Sequence, residues 1–161
     1  MNNFKDTIIK VAQEIDYPQM LKLLNELAKH ENTTSQLTLS KLKKCLQNTN
    51  PKLEILVAKN DDVVIGCALF YRGFDVLSAS YGSHISDIIV QENARNNGVG
   101  KKLMQAISNH TINQGGQWLS WTVDKRNEMA KNFYLSHGGE VINVDFMAMG
   151  ITNMKILLRK S

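Results

Sequence analysis

The chain has 161 residues, 43% of them hydrophobic and 21% charged, with 10 Gly and 2 Pro, a balance that excludes collagen-like repeats, low-complexity linkers and extended disorder. One hydrophobic core suffices for that length, so residues 1–161 are expected to form a single domain. A net charge of +4 favours anionic ligands, but the basic residues are scattered without a sustained run, which argues against a nucleic-acid partner.

Residues 7–11 are rich in β-branched side chains and predict a first strand. Asp16 can then cap a helix with Pro18 in its first turn. Met20, Leu21, Leu24, Leu27 and Ala28 recur at helical spacing, carrying that helix to about Glu31. Ser40 is placed to cap a shorter helix through Cys45, with a turn over residues 48–51. Residues 53–59 and 63–71 are dense in Val, Ile and Leu and flank Asn60, Asp61 and Asp62, whose side chains suit a tight reversal, so a hairpin is expected. After a loop at Gly82, residues 85–90 predict a buried strand, and a polar segment leads to a helix whose apolar face is Val99, Leu103, Ala106 and Ile107. Gly115 and Gly116 stop it. A strand over residues 117–123 and a helix over residues 127–137 follow, and two closing strands are expected at residues 141–147 and 154–158.

Cys45 and Cys67 have neither metal-ligand nor disulfide-framework spacing, and no secretory pattern precedes Ile8. The longest apolar stretches, such as residues 65–71, fall far short of the ~20 residues a membrane helix needs. The expectation is a cytoplasmic protein with no membrane span and no metal.

The strongest local signal joins a buried strand to an amphipathic helix through Arg95, Asn96, Asn97, Gly98, Val99, Gly100 and Lys101. A helix N-terminus leaves backbone N–H groups unpaired and carries partial positive charge, while glycine lets the backbone approach a phosphate closely. The pattern suits a pyrophosphate cradle. It is not a Walker loop, because no Gly-Lys-Ser/Thr closes it, and it lacks the third glycine of the dinucleotide fingerprint. Spacing alone leaves a plain packing turn open as the alternative.

Arg-x-x-Gly-x-Gly over residues 95–100, followed by Asn127-x-x-Ala130-x-x-Phe133-Tyr134-x-x-x-Gly138, resembles the Gcn5-related N-acetyltransferase (GNAT) superfamily, and the order of elements extends the resemblance almost end to end. Within it the chain is most similar to the diamine branch, the spermidine/spermine acetyltransferases. Residues 26–31 at the end of the first helix, residues 66–71 and residues 87–90 carry that similarity. The sequence departs from the branch at Ser86, where an acidic residue is usual, and over residues 75–81, which replace an aromatic-rich loop.

The resemblance implies an α/β fold of the α+β type: a mixed, mostly antiparallel sheet with helices on both faces and a splayed parallel pair at residues 85–90 and 117–123. It implies acetyl-CoA as cosubstrate and a homodimer. Backbone groups of Ile88, Ile89 and Val90 would hold the pantetheine and polarise the thioester, and those of Asn96, Asn97, Gly98, Val99, Gly100 and Lys101 would take the pyrophosphate. Arg95 and Lys101 would add positive charge there, whereas Lys102 reads as a solvated surface group. Asn127 and Phe133 belong to the helix flanking the cofactor arm, although Asn127 fits an N-cap equally well.

Tyr134 would protonate the coenzyme A thiolate, the alternative being a core aromatic. A primary amine is mostly protonated in water, so attack requires a proton acceptor; Asp87 and Glu31 match positions that approach the amine, and each reads alternatively as an ordinary structural or solvated carboxylate. His30 and His84 show no partner in the sequence and are left out of the catalytic set. Trp118 and Trp121, three apart in one strand, should face opposite sides, and Met147 and Met149 read as packing residues by default, the alternatives being a substrate pocket or a dimer contact. The expected function is transfer of acetyl from acetyl-CoA to a primary amine of a small molecule, a diamine, polyamine or amino-acid-like compound, by direct attack in a ternary complex. A protein or peptide acceptor, or a sensor that binds acyl-CoA without turnover, are the alternatives.

Overall fold

The computed structural model describes residues 4–30, 33–47 and 53–158. They fall into two compact units, Met1–Val123 and Asp124–Ser161. The first contains, in order, β1 (Ile8–Val11), α1 (Tyr17–His30), α2 (Leu39–Gln47), β2 (Leu53–Asn60), β3 (Val63–Asp75), β4 (Ser80–Val90), α3 (Val99–Asn113) and β5 (Trp118–Trp121). One sheet runs β1-β2-β3-β4-β5, antiparallel up to β4, with β5 parallel to β4. This mixed sheet with helices on both faces is the expected fold class.

The alternation of side chains along the strands builds two cores. Ile55 and Val57 of β2, with Cys67 and Leu69 of β3, pack under Met20, Leu23 and Leu24 of α1 and Leu42 of α2. Leu56 and Ala58, with Ala68 and Phe70, point the other way onto Val99, Leu103 and Ile107 of α3. The helical stripes legible in the sequence are the ones buried here.

Asp16 does not cap α1 as expected. It closes a single 3-10 turn, Glu14–Asp16, by accepting the Gln13 N–H at 3.0 Å, and it pairs with Lys59 Nζ of β2 at 2.9 Å. Ser40 does not cap α2 either: Thr38 Oγ1 accepts the Lys41 N–H at 3.2 Å, because the helix begins one residue before Ser40. The turn expected over residues 48–51 lies outside the described residues.

The β2–β3 hairpin forms as expected, closed by the Asn60↔Val63 pair with Asp61 in the left-handed region at φ +53°. Gly82, by contrast, is not in a loop. It sits inside β4 opposite Gly73 of β3 and beside Trp118 of β5. The Trp118 indole lies over both glycines: a Cβ on Gly73 would come within 2.8 Å of Trp118 Cη2, and one on Gly82 would collide with the same ring. These glycines admit an aromatic ring rather than a turn. Trp121 packs instead against the core cluster on the α3 side, so the two tryptophans face opposite ways as expected.

The second unit contains α4 (Glu128–Ser136) and α5 (Ile151–Leu158). The two closing strands expected there are absent among the described residues: residues 137–150 have no helix or strand, and residues 154–158 are helical. A strand satisfies its backbone only through a ladder partner, and no described strand pairs with this segment. Met154, Lys155, Leu157 and Leu158 are good helix formers, and a helix meets its hydrogen-bonding demand locally, beginning with the Met154 N–H on the Gly150 carbonyl at 3.1 Å.

Candidate active site

The parallel pairing of β4 and β5 covers Gly82↔Trp118, Ser83↔Leu119, His84↔Ser120 and Ile85↔Trp121, and there β5 ends. β4 continues to Val90, paired with β3 on one side and, among the described residues, with no strand on the other. At the parting point β4 carries an extra residue. Leu69 faces Asp87 while Phe70 faces Ile85, which leaves Ser86 unmatched, its Oγ donating to the Leu69 carbonyl at 3.2 Å.

Such a bulge bends the strand and reverses the alternation beyond it. Ile85 is accordingly buried with α3, whereas Ile89, four residues on, is buried with α1. The bend and the end of β5 together leave residues 86–90 as a strand edge without a neighbour among the described residues, with Asp87, Ile88 and Val90 half-buried along it and Ile89 in the core.

The chain then enters α3 through a loop that the strand end holds in shape. Arg95 Nε donates to the Val90 carbonyl at 3.1 Å, and Asn97 Nδ2 donates to the Arg95 carbonyl at 2.9 Å. Asn96 (φ +61°) and Gly98 (φ +79°) both adopt the left-handed conformation on either side of Asn97. Alternating hand of this kind turns successive N–H groups toward one concavity, the geometry of an anion-binding nest. No side chain caps α3, whose first residue, Val99, is buried and fixes the entry, while Gly100 is half-buried and Lys101 exposed. Exposed N–H groups, helix dipole and Lys101 thus meet where an anionic group can approach.

Lys102 is not the solvated group expected. Its Nζ donates to the Lys5 carbonyl at 3.0 Å and the Thr7 carbonyl at 2.9 Å, tying the N-terminal segment to α3. Asp87 lies on the β4 edge, and its charge adds to burial in pushing the neighbouring Cys67 thiol up to about 12. Glu31 lies outside the described residues.

His84 does have a partner, contrary to the reading that set it aside. Its Nδ1 is 3.0 Å from Ser120 Oγ across the parallel pair, and its ring centroid is 5.3 Å from that of Tyr71 on β3. The signal was hidden because Ser120 lies 36 residues away and meets His84 only through the sheet.

In the second unit, Asn127 Oδ1 accepts the Ala130 N–H at 3.0 Å, the N-cap of α4. Phe133 packs edge-on against Tyr134 at 5.2 Å and against His137 at 4.7 Å. Partial burial pushes the Tyr134 phenol up to about 12, which keeps it protonated throughout the neutral range.

The described residues hold no cluster of three or more His, Cys, Asp or Glu arranged for a metal, and no helix among them is long and apolar enough to cross a membrane. The strand edge beyond Ile85↔Trp121 thus leads directly into a glycine-entered helix with no side-chain cap. The Acetyltransferase (GNAT) family model matches residues 17–138, and the chain belongs to that family. It is an acetyl-transferring enzyme, of a family whose members use acetyl-CoA as cosubstrate.

The chain is 25% identical over 144 residues to the thialysine N-epsilon-acetyltransferase of Mus musculus, the alignment covering 83% of this chain and 84% of the relative. The Bos taurus protein of the same name is 24% identical over 143 residues, with the same coverage. Among solved structures, an integron cassette protein from the mobile metagenome of V. cholerae superposes with a TM-score of 0.78 at 22% identity, covering 95% of this chain and 98% of its own. An aminoglycoside acetyltransferase from an uncultured soil metagenomic sample gives 0.75 at 24% identity, covering 91% and 97%. These two likenesses are of fold.

Proposed function

We propose that the enzyme moves the acetyl group of acetyl-CoA to a primary amine of a small, amino-acid-like or diamine acceptor, by direct attack in a ternary complex. The observation that carries this reading is the parting of β4 from β5 at Ile85↔Trp121, with the Ser86 bulge beside Asp87. The freed backbone groups at Ile88, Ile89 and Val90 are proposed to hold the pantetheine arm and polarise the thioester carbonyl. The nest at Asn96, Asn97 and Gly98, with the N–H groups of Val99, Gly100 and Lys101, suits the pyrophosphate, and Arg95 shapes that loop from Val90.

Asp87 attracts the cationic amine, and Glu31 is the second carboxylate proposed to do so. Tyr134 is proposed to give its proton to the leaving thiolate, for which a phenol held protonated by burial is in the required state. Asn127 and Phe133 shape the helix that presents it. An amino-acid-like acceptor is favoured over a polycation because Ser86 stands on the β4 edge where a further acid would be needed, and because similar relatives bear the name thialysine N-epsilon-acetyltransferase.

The test is transfer from acetyl-CoA to a pooled set of amino acids, diamines, polyamines, aminoglycosides and lysine peptides, with products identified by mass. The expected product is an acetylated side-chain amine of an amino-acid-like compound. Tyr134→Phe should lower kcat about 100-fold while leaving the acetyl-CoA KM nearly unchanged. Preference for spermine over lysine-like amines would overturn the acceptor class, and an undiminished kcat in Tyr134→Phe would overturn the acid.

A further inference from the structure

Three strands contribute one polar row beside the β4 edge. Tyr71 of β3 faces His84 of β4, and His84 faces Ser120 of β5; all three are half-buried, and the row stands one pair before the last contact between β4 and β5. Ile85 next to it is buried on the α3 side, so His84 points to the opposite face. The extra residue at Ser86 brings Asp87 to that same face, the one on which Ile89 packs with α1. His84 and Asp87 therefore flank the start of the opening from one side of the sheet.

The Nδ1 contact to Ser120 Oγ is the only hydrogen bond that the His84 ring makes among the described residues. We propose that Nδ1–H donates to Ser120, which fixes the tautomer that leaves the Nε2 lone pair for the acceptor amine, and that His84 takes the amine's proton, directly or through one water. This rests on the acetyl-transfer reading above and adds the base that it lacks.

The step balances. The acceptor ammonium first gives one proton to Nε2, which later releases it to solvent. The amine nitrogen then forms the C–N bond as the C–S bond breaks. Of its two remaining hydrogens one stays on the amide, and the other accounts for the proton that ends on the thiol sulfur. Imidazoles as a class titrate closer to amines than carboxylates do, which leaves attraction and orientation of the cation to Asp87.

The test compares kcat and KM of the parent chain with His84→Asn and Ser120→Ala, using the amine that the parent acetylates best and an alkoxyamine of the same skeleton, which is already neutral at pH 7. His84→Asn keeps an atom at the Nδ1 position for Ser120 and removes Nε2. The expected result is a fall in kcat of about 100-fold with the amine, with much smaller loss with the alkoxyamine, partial rescue by added imidazole and an unchanged acetyl-CoA KM. Ser120→Ala, which keeps the ring but frees its tautomer, should lose about tenfold. Equal losses with both acceptors, or an undiminished kcat in His84→Asn, overturn the proposal while leaving acetyl transfer intact. A parent chain that acetylates no amine removes the reaction and this role together.

Discussion

Cys67 is fully buried on β3 between the α1 core and Asp87, whereas Cys45 on α2 is exposed. Burial, and then the Asp87 charge, push the Cys67 thiol up to about 12, so almost no thiolate exists at neutral pH and no reagent can reach it. Titration of the native chain with a thiol-specific chromogenic disulfide should therefore release one equivalent, mapping to Cys45 by peptide mass, and a second only after denaturation. Rapid native labelling of Cys67 would show that the β3–α1 core opens readily, contrary to its packing. The same residue scale separates what the sequence disclosed of the site from what it hid. The loop from Arg95 to Lys101 was legible because its glycines, cations and helix onset are contiguous. The bulge at Ser86 and the His84–Ser120 contact were not, because each exists only through pairing with another strand.

Among the elements, the junction of β1, α1 and β2 turns on Asp16. Its side chain is almost fully buried, which alone would raise its pKa, but the Gln13 N–H and the hydrogen bond and charge of Lys59 outweigh that and hold the carboxyl below its usual value. A carboxylate depressed in the folded state contributes stability above its unfolded pKa, about 3.9, and loses it as pH falls through the folded value. Asp16→Asn strands the largely covered Lys59 ammonium and should cost about 3 kcal/mol at pH 7. Denaturant melts taken between pH 7 and pH 2 should show the gap to the parent beginning to close below about pH 4, where the unfolded carboxyl takes up its proton, and vanishing only below the lower folded value. A gap independent of pH would assign the cost to packing instead of charge.

Element by element, α1, the β2–β3 hairpin and α3 were readable because helical spacing and turn chemistry are local signals. Gly82 misled because a glycine under the Trp118 indole looks in sequence like a turn glycine. Residues 141–147 misled because strand composition is only half a strand, the other half being a partner.

At the scale of the whole molecule, the buried residues run from Thr7 to Thr111, and none lies in the described part of Asp124–Ser161. Within that second unit Val141, Ile142, Val144, Phe146 and Met147 are exposed, on a stretch without helix or strand. A protease requires a segment that can leave its hydrogen bonds and extend through the enzyme's cleft, and the free energy of that opening sets the cleavage rate when reclosing is fast. Chymotrypsin at low ratio should therefore cut first after Phe146, which is 83% exposed and sits in no ladder. Phe74 and Tyr81 are also accessible, at 52% and 46%, but they face each other across the β3–β4 ladder and stack at 4.8 Å, so cleavage there demands that the sheet open. The expected first product is a fragment ending at residue 146 with the sheet intact, read by mass and by retained far-UV circular dichroism. A first cut at Phe74 or Tyr81 would mean that the β3–β4 hairpin opens more readily than residues 137–150. The extended β4 edge could not then serve as the fixed wall that the proposed acetyl-transfer site requires.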